Sequence, residues 1–370
     1  MPDLEASVQT SYTQAWRDEL IAVISQVFEV QGVTTLDGGT SFQFIGRLLS
    51  DSEQAYDFLF ERLRPMHFLP LFRKQGDTHI ILVTRGTLPE AKQRVWLAGG
   101  LFLATVASVI FAGLLQSPGA TFQEAAINAG MFTVALLTIL VAHEMGHYLV
   151  SRHYQTPVSL PYFIPAPIFL FGTMGAVINM VAPPKNRRQW LHIAAAGPLA
   201  GLVFAIPITY IGLLMSHVEP LPLHGGYIME GNSLLYLGMK YLVFGRVLPS
   251  AGEDVFLHTV AWAGWGGLLV TMLNLIPAAQ LDGGHVARAL LGARGGQFLT
   301  YAIIGTLLVM GYFLWQGWIL WALIIFFFSR FQVMPLDDIS EPRPIDKLLA
   351  GVMLIVFVLL FTPVPLKVVQ

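Results

Sequence analysis

From Val95 onward the chain is a succession of apolar runs, several of them close to the roughly 20 residues that a helix needs to cross a bilayer. In hydrocarbon a backbone N–H or C=O finds no water, so runs of this kind satisfy themselves as helices. Composition agrees: 55% of the 370 residues are hydrophobic, 12% are charged and the mean hydropathy is +0.62, outside the balance of water-soluble domains. The fold class read from this is an α-helical polytopic membrane protein, with about six or seven transmembrane helices and a re-entrant segment. A small α+β soluble domain precedes it.

The predicted spans are Val95–Leu115, Gly130–Leu149, Trp190–Leu214, Phe256–Ile276, Phe298–Leu314, a short Trp318–Phe328 and Leu348–Phe361. Lys92, Arg94, Arg152, Lys185, Arg187, Arg188, Arg288, Arg294, Arg330, Arg343 and Lys347 then fall on one side, and Lys240, Arg246 and Lys367 on the other. Because cytoplasmic flanks collect Lys and Arg, the amino-terminal domain is placed in the cytoplasm (or stroma) and the carboxyl terminus across the membrane. The expected location is a bacterial cell membrane, with the soluble domain and the active site toward the cytoplasm. The start, MPDLEASVQTSYTQAWRDEL, lacks the basic opening and apolar run of a secretory signal and is too acidic for a transit peptide, so it is read as staying where it is made.

Residues 1–90 carry frequent charges and no spanning run, and form the soluble α+β domain; residues 91–370 form the transmembrane domain, with a catalytic core at about 130–289. Trp16, Leu20, Ile21, Ile24 and Phe28 recur at helical spacing within Tyr12–Phe28. A second helix is predicted from Ser50, with Glu53 completing a capping-box pattern. Ser41–Leu48, Phe68–Phe72 and His79–Val83 read as strands.

Inside the second span lies TILVAHEMGHYLVS, Thr138–Ser151. His143 and His147 are four residues apart and share a helix face, while Glu144 projects from an adjacent edge. Ionisable side chains at membrane depth are costly enough to point to function; the spacing is that of a metal clamp with a nearby base. The chain has no cysteine, which excludes disulfides, thiolate metal sites and a cysteine nucleophile, so any metal is held by nitrogen and oxygen. A net charge of -2 gives no basic footprint for nucleic acid.

The next stretch, SLPYFIPAPIFLFGTMGAVINMVAPP, is apolar but interrupted by proline and glycine. Gly172–Met180 is predicted as a re-entrant loop or strand beside the site, since irregular backbone at membrane depth must be buried or line a cavity. An open strand edge there suits peptide recognition by β-addition, with Gly175 a candidate substrate-binding position. The third span holds AAAGPLAG, whose small residues permit close helix approach.

A hydrolytic zinc site ordinarily has three protein ligands and one open position, and two histidines leave one to find. Asp282, in TMLNLIPAAQLDGGHVARAL, follows an apolar run and precedes Gly283 and Gly284, which would let the chain turn tightly and deliver the carboxylate. His285 and His192 compete for the role. Upstream, Asn274 supplies a polar contact and Pro277 a helix break.

Together, HEMGH at His143–His147 and NLIPAAQLDGG at Asn274–Gly284 resemble the site-2 protease family of intramembrane zinc metalloproteases. GTMGA at Gly172 and AAAGPLAG at Ala194 extend the resemblance over about Gly130–Ala289, and the remainder is similar to the cyanobacterial and plastid-type branch. Many bacterial relatives insert a PDZ domain after the third span; here the connection from Met215 to Val255 is too short for one. The resemblance implies that His143, His147 and Asp282 bind Zn2+, that Glu144 is the general base, and that Asn274 contacts the substrate or an oxyanion. It implies hydrolysis of peptide bonds within or near transmembrane segments of membrane-protein substrates. The rival readings are an intramembrane metal transporter, which leaves Glu144 unexplained, and a proteolytically inactive scaffold.

Overall fold

The computed structural model describes residues 14–117, 119–222, 226–331 and 333–369. The amino-terminal stretch weighed for targeting lies largely outside them, as do the first two residues of the expected Tyr12–Phe28 helix. The described residues fall into two compact units.

The first unit draws on three pieces of chain: the described part of Met1–Glu90, Ala182–Trp190 and Val333–Arg343. Helix α1 covers residues 14–24 and buries Leu20 and Ile24 completely. It stops short of Phe28, which instead opens β1 (Phe28–Leu36). The β-branched residues Val30, Val33, Thr34 and Thr35 favour a pleated strand, and a bulge between Val30 and Gly32 interrupts the alternation by which such a strand is read from sequence. Next come β2 (Ser41–Leu48), α2 (Ser52–Leu63), β3 (Phe68–Gln75) and β4 (Thr78–Arg85), giving an antiparallel sheet in the order β1-β2-β4-β3. The cap of α2 is Asp51 rather than Ser50: its carboxylate accepts from the Glu53 and Gln54 N–H groups at 3.0 and 3.3 Å.

β3 would be a bare sheet edge, but residues 336–338 lie parallel to it. Phe72 N–H donates to the Leu336 carbonyl at 2.8 Å and Asp338 N–H to the Phe72 carbonyl at 3.1 Å. Residues 184–186 continue outward, with Leu336 and Asp337 N–H groups donating to Pro184 and Lys185 carbonyls at 3.1 and 2.7 Å. Covering an edge in this way removes a row of unpaired backbone groups. Asp337 is fully buried; its carboxylate accepts from the Ser52 hydroxyl at 2.8 Å, from Ile339 and Ser340 N–H at 2.9 and 3.2 Å, and from the Ser340 hydroxyl. Glu53 meets Lys185, Arg188 and Arg343 at 3.7, 3.4 and 3.4 Å, and Lys185 meets Asp57 at 2.6 Å. Asp337→Ala orphans several buried donors and is expected to destabilise this unit by about 2–4 kcal/mol, measurable as faster amide exchange across β3.

The second unit contains the apolar helices. α3 (Val95–Leu115), α4 (Phe122–His153), α5 (Arg187–Leu214) and α8 (Asp282–Phe313) are long and apolar enough to cross a membrane. The other expected spans fall on α7 (Thr259–Asn274), α9 (Gly317–Phe328) and α10 (Pro344–Leu360), of 16, 12 and 17 residues; a shorter α6 (Leu234–Phe244) lies between α5 and α7. α4 begins before the expected Gly130 because Thr121 and Glu124 form a reciprocal capping box that holds a polar first turn in the helix. α8 bends at Gly292 (φ 73°, ψ -178°), which separates a short section starting at Asp282 from the expected Phe298–Leu314 span.

Three two-stranded sheets decorate the unit: β5 (Tyr162–Pro165) with β6 (Thr173–Val177), β7 (His217–Pro220) with β9 (Glu253–Phe256), and β8 (Tyr227–Glu230) with β10 (Leu366–Val369). β6 lies within the predicted re-entrant segment. Lys240, on the side poor in positive charge by sequence, is fully buried, 2.8 Å from Glu230 and 3.2 Å from Asp254. Such a charge is tolerated in an interior because it is paired and hydrogen-bonded.

Candidate metal centre

One helical turn separates His143 from His147 on α4, and their Nε2 atoms lie 3.2 Å apart. Asp282 arrives from the other side of the site as the first residue of α8, after a loop that leaves α7 at Asn274. Its Oδ2 is 3.3 Å from each histidine Nε2. Gly283 and Gly284 do not make the turn. They already belong to α8, and a Cβ at either would strike the carbonyls of Leu275 or Ala278, so what they supply is room for the loop to fold back on the helix.

Three donor atoms at 3.2–3.3 Å form a nearly equilateral triangle. A tetrahedral ion with ligand bonds of about 2.0–2.1 Å has ligand-to-ligand edges of about 3.3–3.4 Å, so the triangle matches one face of such a tetrahedron. Among the described residues, His143, His147 and Asp282 are the one cluster of His, Asp or Glu donors close enough to share an ion. Two neutral imidazoles and a carboxylate are a donor set suited to zinc.

α5 forms the wall behind the histidines. His147 Nδ1 lies 2.7 Å from the Ile193 carbonyl, which fixes the proton on Nδ1 and turns the Nε2 lone pair toward the triangle. Gly197 faces His147 and Gly201 faces His143, so the four-residue spacing on α4 is matched by one on α5. A Cβ at Gly197 would overlap the His147 ring, whereas one at Gly201 would sit 3.3 Å from His143. Gly146 likewise admits the Ala196 carbonyl. Neither the Ile193 carbonyl nor the role of Gly197 was read from the sequence; the legible trace of them is AAAGPLAG, in which Gly197 and Gly201 sit four residues apart.

Glu144 is 8% exposed and His143 4%. No hydrogen bond to the Glu144 carboxylate comes from any of the described residues, which leaves it free to exchange a proton. Asn274 Nδ2 is 3.4 Å from His143 Nε2, at the rim of the triangle. Gly175 sits in β6 at φ 90°, and the Thr173 hydroxyl accepts from its N–H at 3.0 Å and reaches its carbonyl at 3.2 Å. His192, a rival third ligand, is engaged elsewhere, by Tyr154 and Asp346. His285, the other rival, is not part of the donor cluster.

The chain is 29% identical over 348 residues to "Probable zinc metalloprotease EGY2, chloroplastic" of Oryza sativa subsp. indica, covering 90% of this chain and 63% of the relative. It is 33% identical over 234 residues to the Arabidopsis thaliana protein of the same name, and 32% identical over 237 residues to "Probable zinc metalloprotease EGY1, chloroplastic" of that plant. These two matches cover 62% of this chain and 41% and 42% of the relatives. The chain thus spans less than two thirds of the length of these curated relatives. No solved structure matches it. The family model for peptidase family M50 matches residues 131–316, half of the chain, from α4 through α8 and therefore across every donor of the triangle. This chain belongs to peptidase family M50.

Proposed function

We propose that this protein is an intramembrane zinc metalloendopeptidase that hydrolyses peptide bonds within or near transmembrane segments of membrane-protein substrates. The observation that carries the reading is the His143–His147–Asp282 triangle with Glu144 adjacent to it on α4, in a chain of the M50 peptidase family. Bound there, zinc supplies Lewis acidity and makes water nucleophilic near neutral pH. Glu144 accepts the proton of the attacking water and returns it to the amide nitrogen as the C–N bond breaks. Asn274 is placed to contact the substrate strand or the developing oxyanion. The rival readings, a metal transporter and an inactive scaffold, give no role to Glu144 and are not favoured by peptidase-family membership.

A substrate helix must unwind before its backbone is cut, and β6 is the proposed receiver. β5 lines one edge of β6 and, among the described residues, no strand lines the other. An extended substrate added there engages Gly175 once the Thr173 hydroxyl gives way.

Seven crossings with the first unit on the cytoplasmic or stromal side are the proposed topology. Its three chain pieces share one compact body and so one side of the membrane. This supports an even number of crossings in α3–α4 and again between α5 and α9. The β8–β10 pair supports a carboxyl terminus on the side reached after α5, and with it a crossing by α10. Which organelle or cell membrane holds the protein follows from its source; the relatives compared above are chloroplastic.

The test is metal analysis of the purified protein beside a cleavage assay on a model transmembrane substrate. One zinc per chain and chelator-sensitive cleavage are expected; metal-free protein that still cleaves refutes the proposal. Asp282→Ala should weaken metal binding at least about tenfold, while His285→Ala leaves it unchanged. The opposite ranking would make His285 the third ligand.

A further inference from the structure

His192 stands between a tyrosine and an aspartate. The Tyr154 hydroxyl lies 2.5 Å from its Nδ1, and its Nε2 lies 2.7 Å from Asp346 Oδ1. Asp346, in the first turn of α10, is 1% exposed; Tyr154 is the C-cap of α4, the helix that carries HEMGH. The chain of hydrogen bonds has a definite direction: Tyr154 O–H donates to Nδ1, and Nε2–H donates to the carboxylate. One imidazole on α5 thus ties the ends of α4 and α10 together.

The residue after His192 is Ile193, whose carbonyl receives His147 Nδ1–H at 2.7 Å. α5 is weak just beyond this point. Pro198 has no N–H, so the Ala194 carbonyl lacks its helical partner and the turn from 194 to 198 is short of a rung. A carbonyl beside a missing rung is poorly held by its own helix, and an outside tie to the preceding turn limits how far it can rotate.

We propose that His192 is a positioning residue: held between Tyr154 and Asp346, it fixes the α5 turn whose Ile193 carbonyl orients His147 toward the metal. The inference rests on the reading that His143, His147 and Asp282 bind the ion. Outer partners of ligating histidines commonly contribute about 10- to 100-fold to metal affinity, and His192 is one step further out, so its loss is expected to cost about tenfold.

The test uses full-length protein in detergent or nanodiscs, titrated with Zn2+ against a chromophoric chelator and with Co2+ for its visible absorption. His192→Ala should weaken zinc about tenfold and alter the cobalt spectrum. His192→Gln, whose amide can accept from Tyr154 and donate to Asp346, should restore both. Tyr154→Phe should shift affinity in the same direction by a few-fold, and it serves as the readout if His192→Ala does not fold. Wild-type affinity and an unchanged cobalt spectrum in His192→Ala overturn the proposal even if the melting temperature falls, as does equal weakening in His192→Ala and His192→Gln. A wild-type protein that binds no ion, or a His147→Ala variant that binds as well as wild type, instead removes the metal-site reading, and the inference falls with it.

Discussion

Glu144→Gln is expected to abolish peptide cleavage while leaving the fold and bound zinc in place. The amide keeps the size of the carboxylate but cannot take a proton from water, and loss of a positioned general base ordinarily removes about 10²–10⁴ in rate. Glu144 is not one of the three converging donors, so metal content should match wild type. Paired measurements of zinc by elemental analysis and of substrate cleavage on one preparation decide it. Retained proteolysis would eliminate Glu144 as base; loss of zinc would make it a ligand.

A second large effect is expected one helix away. Gly197→Ala places a methyl where the His147 ring lies, while Gly201→Ala meets His143 only at 3.3 Å. Backbone and ring cannot both stay, because packed interiors transmit overlap rather than absorb it. Gly197→Ala should therefore swing His147 out of the triangle, lowering zinc affinity by at least about tenfold and cleavage to background. Gly201→Ala, a tight contact that a shift of a few tenths of an ångström relieves, should retain most of both. Comparing the two alanines by zinc competition isolates ring displacement from a general loss of glycine; equal behaviour would show that α5 yields without disturbing the site.

The parts of this arrangement that were legible in the sequence are those that break a pattern. His143, Glu144 and His147 stand out because they interrupt an apolar helix, and α3 runs over the same Val95–Leu115 that its apolar run predicts. Asp282 stands out by counting ligands and by the NLIPAAQLDGG resemblance, while its placement as the first residue of α8 depends on where a helix starts. Gly283 and Gly284 serve packing against the Leu275 and Ala278 carbonyls rather than the turn that a double glycine predicts. The Ile193 carbonyl was invisible because any residue carries one. β7–β10 are four residues each, too short to show a period, and β1 hid behind its bulge.

The three-piece construction of the first unit bears on the order of synthesis. Residues up to Glu90 are made before the segments that cover β3, which follow at about 5–20 residues per second, the outer one after α4 and the inner one after α9. Until residues 336–338 arrive, the outward N–H and C=O of Phe72 have no strand partner and the Ser52 hydroxyl has no carboxylate. The sheet begun by β1–β4 is thus completed only when residues 333–343, far along the chain, have been made. The β3 edge stays open until that stretch arrives, and an open edge is where non-native strand pairing begins.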